Sequence, residues 1–178
     1  MPFDILETKN LILRKAKASD LESIHNNVWS QDILAEKMLW VPTHDIEQSQ
    51  ERLNRTIAYQ STHFAYFICL KETNEAIGFA GIIEVEKDIY EDTGFCIAKE
   101  YQGKGYGKEM LSCLLKLVFE DLKGQKFLYS CFSTNEASRN LCLSQGFKYV
   151  DSVNKIREHD KLEYVSENYY MDREMYFS

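Results

Sequence analysis

Three glycines at alternate positions, Gly103, Gly105 and Gly107, are the residues whose types and spacing most clearly suggest chemistry. They follow a strand-like apolar run and precede apolar residues at helical spacing, and Lys104 and Lys108 lie between and after them. Glycine lets a backbone approach a ligand closely, and the free N–H groups, the helix dipole and the lysines attract negative charge. The pattern therefore predicts an anion site, which we interpret as a pyrophosphate cradle.

Two common nucleotide-binding loops do not fit this spacing. A P-loop requires a glycine at position 102 and a serine or threonine after Lys108, whereas the chain has Gln102 and Glu109 there. A dinucleotide-binding loop requires the spacing G-x-G-x-x-G and an acidic residue after the next strand. The chain has G-x-G-x-G, and residues 128–131 contain no acid. Both are therefore excluded as interpretations of residues 102–108, which we call the glycine loop.

The elements around the glycine loop are predicted from hydrophobic periodicity and turn residues. Ser19 and Glu22 have the spacing of a capping box ahead of a first helix, and a second helix is expected from about Asp45. The links between the central strands are too short for crossover helices, which predicts an antiparallel meander. Residues 1–178 are thus expected to form a single α+β domain. The predicted strands are 11–16, 64–70, 76–86, 94–98, 126–132, 147–153 and 169–177, with later helices over 107–122 and 135–145.

Composition excludes several classes of protein. The net charge of −7 argues against general nucleic-acid binding, which needs a basic face. No run of about 18 apolar residues is present, so no membrane span is expected, and the first residues lack the pattern of a secretory signal. The five cysteines are scattered and the four histidines form no ligand pair. Free thiols in a cytoplasmic protein without a metal are therefore expected.

Residues 102–107, Q-G-K-G-Y-G, resemble the Q/R-x-x-G-x-G/A signature of the GNAT superfamily of acyl-CoA-dependent N-acyltransferases. Further segments resemble the same family at the expected distances. They are the strand and link over 94–101, an N-x-x-S…G-F segment over 135–147, and the opening strand over 11–14. The resemblance covers nearly the whole chain. The most similar branch is that of the ribosomal-protein N-terminal acetyltransferases, the RimJ/RimL-like proteins.

The resemblance implies a GNAT-like fold, with a mixed and mostly antiparallel sheet flanked by helices. It implies transfer of an acetyl group from acetyl-CoA to a primary amine, either a protein N-terminal α-amine or a small amine. A non-catalytic CoA-binding or regulatory domain is the alternative, and a homodimer is an arrangement that the resemblance allows. The residues implied in CoA binding are Phe95, Cys96, Ile97, Gln102, Gly103, Lys104, Gly105, Tyr106, Gly107, Lys108, Asn135 and Ser138.

The catalytic acid and base are where this chain departs from the family pattern. Many members carry a tyrosine seven residues after the asparagine of the N-x-x-S segment, but this chain has Cys142 there. A cysteine could in principle protonate a leaving thiolate, because the two pKa values are similar. A packed Cys142, with water as the proton donor, is the alternative. Asp92 is the candidate base, followed by Glu84 and Glu86 on the preceding strand. Each of them could equally be an ordinary solvated carboxylate at a strand end. The aromatic residues expected to line an acceptor cleft are Trp40, Tyr90, Tyr169 and Tyr170.

Overall fold

Alternating and continuous apolar runs build most of the sheet in the computed structural model, which describes residues 2–178. The strands are β1 (Ile5–Glu7), β2 (Leu11–Arg14), β3 (Ala65–Leu70), β4 (Ala76–Glu86), β5 (Ile89–Asp92), β6 (Cys96–Ile97), β7 (Lys126–Phe132), β8 (Lys148–Ile156) and β9 (Glu163–Asp172). The α-helices are α1 (Leu21–Ile24), α2 (Asp32–Ala35), α3 (Ile46–Gln60), α4 (Tyr106–Lys116), α5 (Glu136–Ser144) and α6 (Arg173–Phe177). Helices α1 and α4 continue directly as π-helical turns, at His25–Trp29 and Leu117–Asp121.

The strands lie in the order β1-β2-β3-β4-β5-β7-β9-β8, and the short β6 pairs with β4. The pairing of β5 with β7 is parallel, and the other pairs in the described chain are antiparallel. A parallel pair requires a crossover connection, which the glycine loop and α4 supply here. The structure confirms the expected α+β class with a mixed, mostly antiparallel sheet.

The sheet opens at one place, between β6 and β7. β5 runs parallel to β7 only as far as Glu91, which lies opposite Leu128. The chain then bends at Gly94, whose φ of 90° lies in the left-handed region that favours glycine, and it resumes as β6 beside β4. We call the resulting wedge between β6 and β7 the fork. The strand expected over 94–98 is therefore shortened to β6, because the bend lies at its first residue, and β5 before the bend was not predicted.

Helices cover the faces of the sheet on both sides of the fork. Trp29, after α1, packs edge-on against Phe67 of β3 with ring centroids 5.8 Å apart. The apolar stripe of α4, which includes Met110 and Leu114, is fully buried, as the three- and four-residue spacing predicts. Leu53 of α3 is also fully buried. The core therefore extends through the sheet and holds the fork in a fixed position.

The capping box expected at Ser19 is wrong. The residue that organises this turn is Asp20, whose carboxylate accepts a hydrogen bond from the Lys17 N–H at 2.7 Å. The same carboxylate forms a buried bidentate pair with Arg14, with both N–O distances at 2.8 Å. A charged bidentate pair is stronger than a serine cap, and it joins this turn to β2.

The chain ends differently from the strand expected over 169–177. β9 begins earlier and stops at Asp172, whose Oδ1 accepts a hydrogen bond from the Met175 N–H at 2.8 Å and so caps α6. The strand expected over 147–153 extends to Ile156 and β9 begins at Glu163, so the two strands pair as one long hairpin whose tip is formed by residues 157–162.

Candidate active site

One cavity of about 1490 Å³ connects the glycine loop, the fork and the side of the sheet covered by α2 and α3. The glycine loop and the start of α4 line one end. The segment from α2 to Trp40 and the exposed side of α3 line the other, which we call the acceptor end. Ligand pockets typically have about 300–1,000 Å³, so this cavity has room for two substrates that meet at the fork.

The glycine loop is shaped by backbone conformations that favour glycine. Gly103 and Gly105 have φ values of 74° and 82°, and a Cβ placed on either residue would meet nothing within 4 Å. Their role is therefore conformational, and they leave the cradle open. Nε2 of Gln102 donates to the carbonyl oxygen of Ile97 at 2.9 Å and fixes the loop to β6. The N–H groups of the first turn of α4 have no partner within the helix and can bind an anion.

The residues predicted to contact CoA all line the cavity except Lys104. Nζ of Lys104 lies 5.5 Å from the ring centroid of Tyr101. Asn135 caps α5 through a hydrogen bond from the Ser138 N–H to its Oδ1, at 3.1 Å, and both side chains also border the cavity. Oγ of Ser138 lies 2.6 Å from the hydroxyl of the buried Tyr129. Open glycines, free amides and Lys108 form a donor set that suits a pyrophosphate.

The N–H of Ile97 points into the fork. Directly after β6, the Ala98 N–H donates to the carbonyl oxygen of Ile77 on β4 at 2.7 Å. The N–H groups of successive residues in a strand point to opposite edges, so the Ile97 N–H points away from β4. A fixed donor at this edge could stabilise negative charge on a carbonyl oxygen.

Asp92 lies where β5 and β7 part. Its Oδ1 accepts from the Gly94 N–H at 2.8 Å, and its Oδ2 accepts from the Ser130 N–H at 3.3 Å. The carboxylate borders the cavity, but protein surrounds most of it, and this burial raises the pKa of Asp92 from 3.8 to about 7. The two N–H groups act in the opposite direction and lower the pKa. A group with a pKa near neutrality is suited to proton transfer.

Glu84 and Cys142 lie outside the cavity wall. Glu84 is exposed on the β4–β5 hairpin, where its Oε1 accepts from the Asp88 N–H at 2.8 Å. Cys142 has no exposed surface, its Sγ lies 3.2 Å from the carbonyl oxygen of Arg139, and burial raises the pKa of its thiol to about 12. The fork therefore brings Asp92 to the glycine loop without Glu84 or Cys142.

The acceptor end contains an arginine that the sequence did not single out. The guanidinium carbon of Arg52 lies 4.6 Å from the ring centroid of Trp29 and 5.2 Å from that of Trp40. Trp40 lines the cavity as expected. Helical spacing alone placed Arg52 on α3 but gave no signal of the two indoles, which come from another part of the chain. The expected aromatic residues that lie outside the cavity wall are Tyr90, Tyr169 and Tyr170.

Arg157, at the tip of the β8–β9 hairpin, joins this hairpin to the segment that lines the acceptor end. Its Nη1 donates to the carbonyl oxygens of Ala35, Glu36 and Met38 at 3.2, 3.0 and 2.9 Å. Its Nη2 lies 2.6 Å from Oδ2 of Asp160. We call these contacts the arginine clasp. The sequence of this region shows only a charged stretch and does not predict the clasp, because the partners of Arg157 are carbonyl groups about 120 residues earlier.

Residues 2–178 contain neither a candidate metal centre nor a candidate membrane span. No group of three or more histidine, cysteine, aspartate or glutamate side chains in this range is arranged to hold a metal ion. Within the same range, every helix is too short or too polar to span a bilayer.

The arrangement of these elements is shared with solved acetyltransferases. The GNAT-family acetyltransferase of Bacillus anthracis superposes with a TM-score of 0.83, over 96% of this chain and 99% of that one, at 19% identity. The ribosomal-protein-S5-alanine acetyltransferase of Vibrio fischeri gives 0.77, over 97% and 98%, at 17% identity. Identities this low show the fold alone. The chain therefore has the fold of the GNAT acetyltransferases.

Sequence comparison identifies the family. The family described as "Acetyltransferase (GNAT) domain" matches residues 10–148. A curated Bacillus subtilis (strain 168) protein, "Uncharacterized N-acetyltransferase YoaA", is 30% identical over 149 residues, which are 82% of this chain and 84% of that protein. The chain belongs to the GNAT acetyltransferase family, and membership implies acyl transfer from an acyl-CoA.

Proposed function

We propose that this protein transfers an acetyl group from acetyl-CoA to a primary amine, with Asp92 as the general base. The observation that carries this proposal is the position of Asp92 at the fork, between the glycine loop and the acceptor end. The two ends of the cavity would each receive one substrate, and the carboxylate lies at their junction.

The residues of the chain have distinct tasks in this proposal. The glycine loop and the first turn of α4 bind the pyrophosphate of the acetyl-CoA substrate. The Ile97 N–H stabilises the negative charge that develops on the thioester carbonyl oxygen. Asp92 accepts a proton from the attacking amine as the C–N bond forms and the C–S bond breaks. Because Cys142 is buried away from the cavity, water supplies the proton to the leaving thiolate.

The acceptor we favour is an α-amine. A free α-amine has a pKa near 7.7–8, so the neutral form at pH 7 costs only about 1 kcal/mol, whereas a lysine-like amine costs about 4–5 kcal/mol. The pKa of Asp92, about 7, is closer to the pKa of an α-amine than to that of a lysine-like amine, so Asp92 suits an α-amine better. The resemblance to the RimJ/RimL-like branch, in which acceptors are protein N-termini, supports this preference, and so does the structural match to the Vibrio fischeri ribosomal-protein-S5-alanine acetyltransferase.

The test is release of free thiol from acetyl-CoA in the presence of a panel of amines. We expect release that requires an amine, falls at least tenfold in Gly105→Glu, and falls more steeply in Asp92→Asn. Glu84→Gln is the matched control, because it removes an exposed carboxylate outside the cavity. Tight CoA binding without turnover of any amine would instead support a non-catalytic CoA-binding domain.

A further inference from the structure

Arg52 is held in an unusual setting at the acceptor end. The two tryptophans of the sequence are Trp29 and Trp40, and both lie against its guanidinium, at 4.6 and 5.2 Å. Nη1 donates to the carbonyl oxygen of Val41 at 2.8 Å. A guanidinium has five N–H donors, so the indoles and one carbonyl leave several of them for a ligand.

No carboxylate of residues 2–178 lies within 4.0 Å of the guanidinium nitrogens of Arg52 or of its neighbour Arg55. Glu36, Glu91 and Asp92 line the same cavity but do not pair with either arginine. Burial and the positive charge of Arg55 lower the pKa of Arg52 to about 10. Two adjacent cations, one of them desolvated, thus face the cavity without a paired carboxylate, and this arrangement favours an anionic ligand.

The position of Arg52 separates this site from the glycine loop. Phe79 pairs directly with Cys96, so their side chains share one face of the sheet. The ring of Trp40, beside Arg52, packs edge-on against Phe79 at 6.0 Å. The neighbouring Ile97 side chain points to the opposite face, where a methyl group placed on Gly107 would lie 3.9 Å from it. Arg52 is therefore placed to contact the acceptor rather than the pyrophosphate.

We propose that the acceptor amine carries a carboxylate, which Arg52 binds, with Arg55 adding positive charge. This inference rests on the proposed function and narrows its substrate class. A guanidinium whose faces are covered by indoles presents its edge donors in a fixed plane, and that plane matches the two oxygens of a carboxylate. The carboxylate is either the α-carboxylate of a free amino acid or an acidic side chain near a peptide N-terminus.

Matched pairs of acceptors test the proposal and separate the two sources. One pair is alanine and alaninamide, with rates corrected for the fraction of neutral amine. The other is an alanyl-glutamyl peptide amide and its glutaminyl isostere. In the unmodified protein, kcat/KM is expected to favour the carboxylate member of at least one pair by about 10- to 100-fold. The same ratio is expected to fall toward one in Arg52→Gln. Lys71→Gln, which removes a cation paired with Glu7 outside the cavity, is the control and keeps the ratio.

A binding measurement decides the proposal independently of turnover. Because both tryptophans flank Arg52, tryptophan fluorescence reports binding of N-acetylalanine and of N-acetylalaninamide directly. Tighter binding of N-acetylalanine than of N-acetylalaninamide, weakened in Arg52→Gln, supports the inference. If Arg52→Gln does not fold, Arg55→Gln is expected to show the same weakening. This binding result supports the inference even if no amine is acetylated, whereas absence of acetylation would refute only the proposed function. Equal acetylation of both members of each pair, or equal binding of the two ligands, would overturn the inference.

Discussion

The Asp92→Asn variant is expected to lose activity and to gain stability at neutral pH. The amide keeps an oxygen for the Gly94 N–H but carries no charge and accepts no proton. Burial raises the pKa of Asp92 from 3.8 to about 7, and each pKa unit corresponds to 1.36 kcal/mol, so ionisation of the folded protein costs up to about 4 kcal/mol. Partial contact with water in the cavity reduces this figure to about 2–4 kcal/mol.

The sign of the pH dependence follows from the order of the two pKa values of Asp92. The folded protein retains its proton between about pH 4 and pH 7, where the unfolded chain has already released it. The free energy of unfolding therefore falls through this window and levels off above pH 7. The variant lacks this titration, so its stability relative to the unmodified protein should rise by about 2 kcal/mol between pH 5 and pH 8. Urea unfolding at both pH values measures this difference, with Glu84→Gln as the control.

Activity gives the second arm of the same experiment. In the unmodified protein, kcat/KM is expected to rise with pH through about 7, as the Asp92 carboxylate loses its proton. The variant is expected to lose this acidic limb and about 10²–10⁴ of the rate. An acidic limb near pH 7 that survives in Asp92→Asn would refute Asp92 as the base. If the stability of Asp92→Asn relative to the unmodified protein does not rise from pH 5 to pH 8, the claim that burial of the Asp92 carboxylate raises its pKa would be refuted.

Three further variants probe the cavity. Gly105→Ala is expected to fold, but its free energy of unfolding should fall by about 1–2 kcal/mol, because φ is 82° at this position. Calorimetry is expected to show weaker CoA binding by this variant, and unchanged affinity would contradict an anion cradle. Cys142→Ala is expected to keep kcat while unfolding at lower urea concentration, and a tenfold fall in kcat would restore Cys142 as a proton donor. Arg157→Ala is expected to raise the KM of the amine but not of acetyl-CoA, and to speed hydrogen exchange at residues 35–38. Equal effects on both KM values would contradict a role confined to the acceptor end.

Local patterns predicted several of the elements around the glycine-loop end of the cavity well. The strands β4 and β7 have the predicted bounds, because each is a sustained apolar or alternating run that ends in turn residues. The start of α4 follows directly from the apolar stripe after Gly105. These features depend on residues close together in the chain, and such signals are legible in one sequence.

The features that escaped prediction depend on distant partners. The fork arises because the Asp92 carboxylate holds the Gly94 and Ser130 N–H groups while β5 leaves β7, and a single run of residues does not display that choice. Arg52 acquires its two aromatic neighbours only when the fold brings Trp29 and Trp40 next to it. The acceptor end is assembled from separate segments, so composition and periodicity said little about it.

The arginine clasp has a consequence for how this protein can change over evolutionary time. Arg157 holds the segment over residues 35–38 through carbonyl oxygens alone, and every amino acid supplies a carbonyl. Side chains in that segment are therefore free to vary without loss of the contact that keeps the wall in place. Substitutions there can change which ligands the wall prefers while the hairpin, the fork and the glycine loop stay as they are. Because the arginine clasp binds main-chain carbonyl groups, the side chains of this cavity wall can be substituted while the wall stays in place.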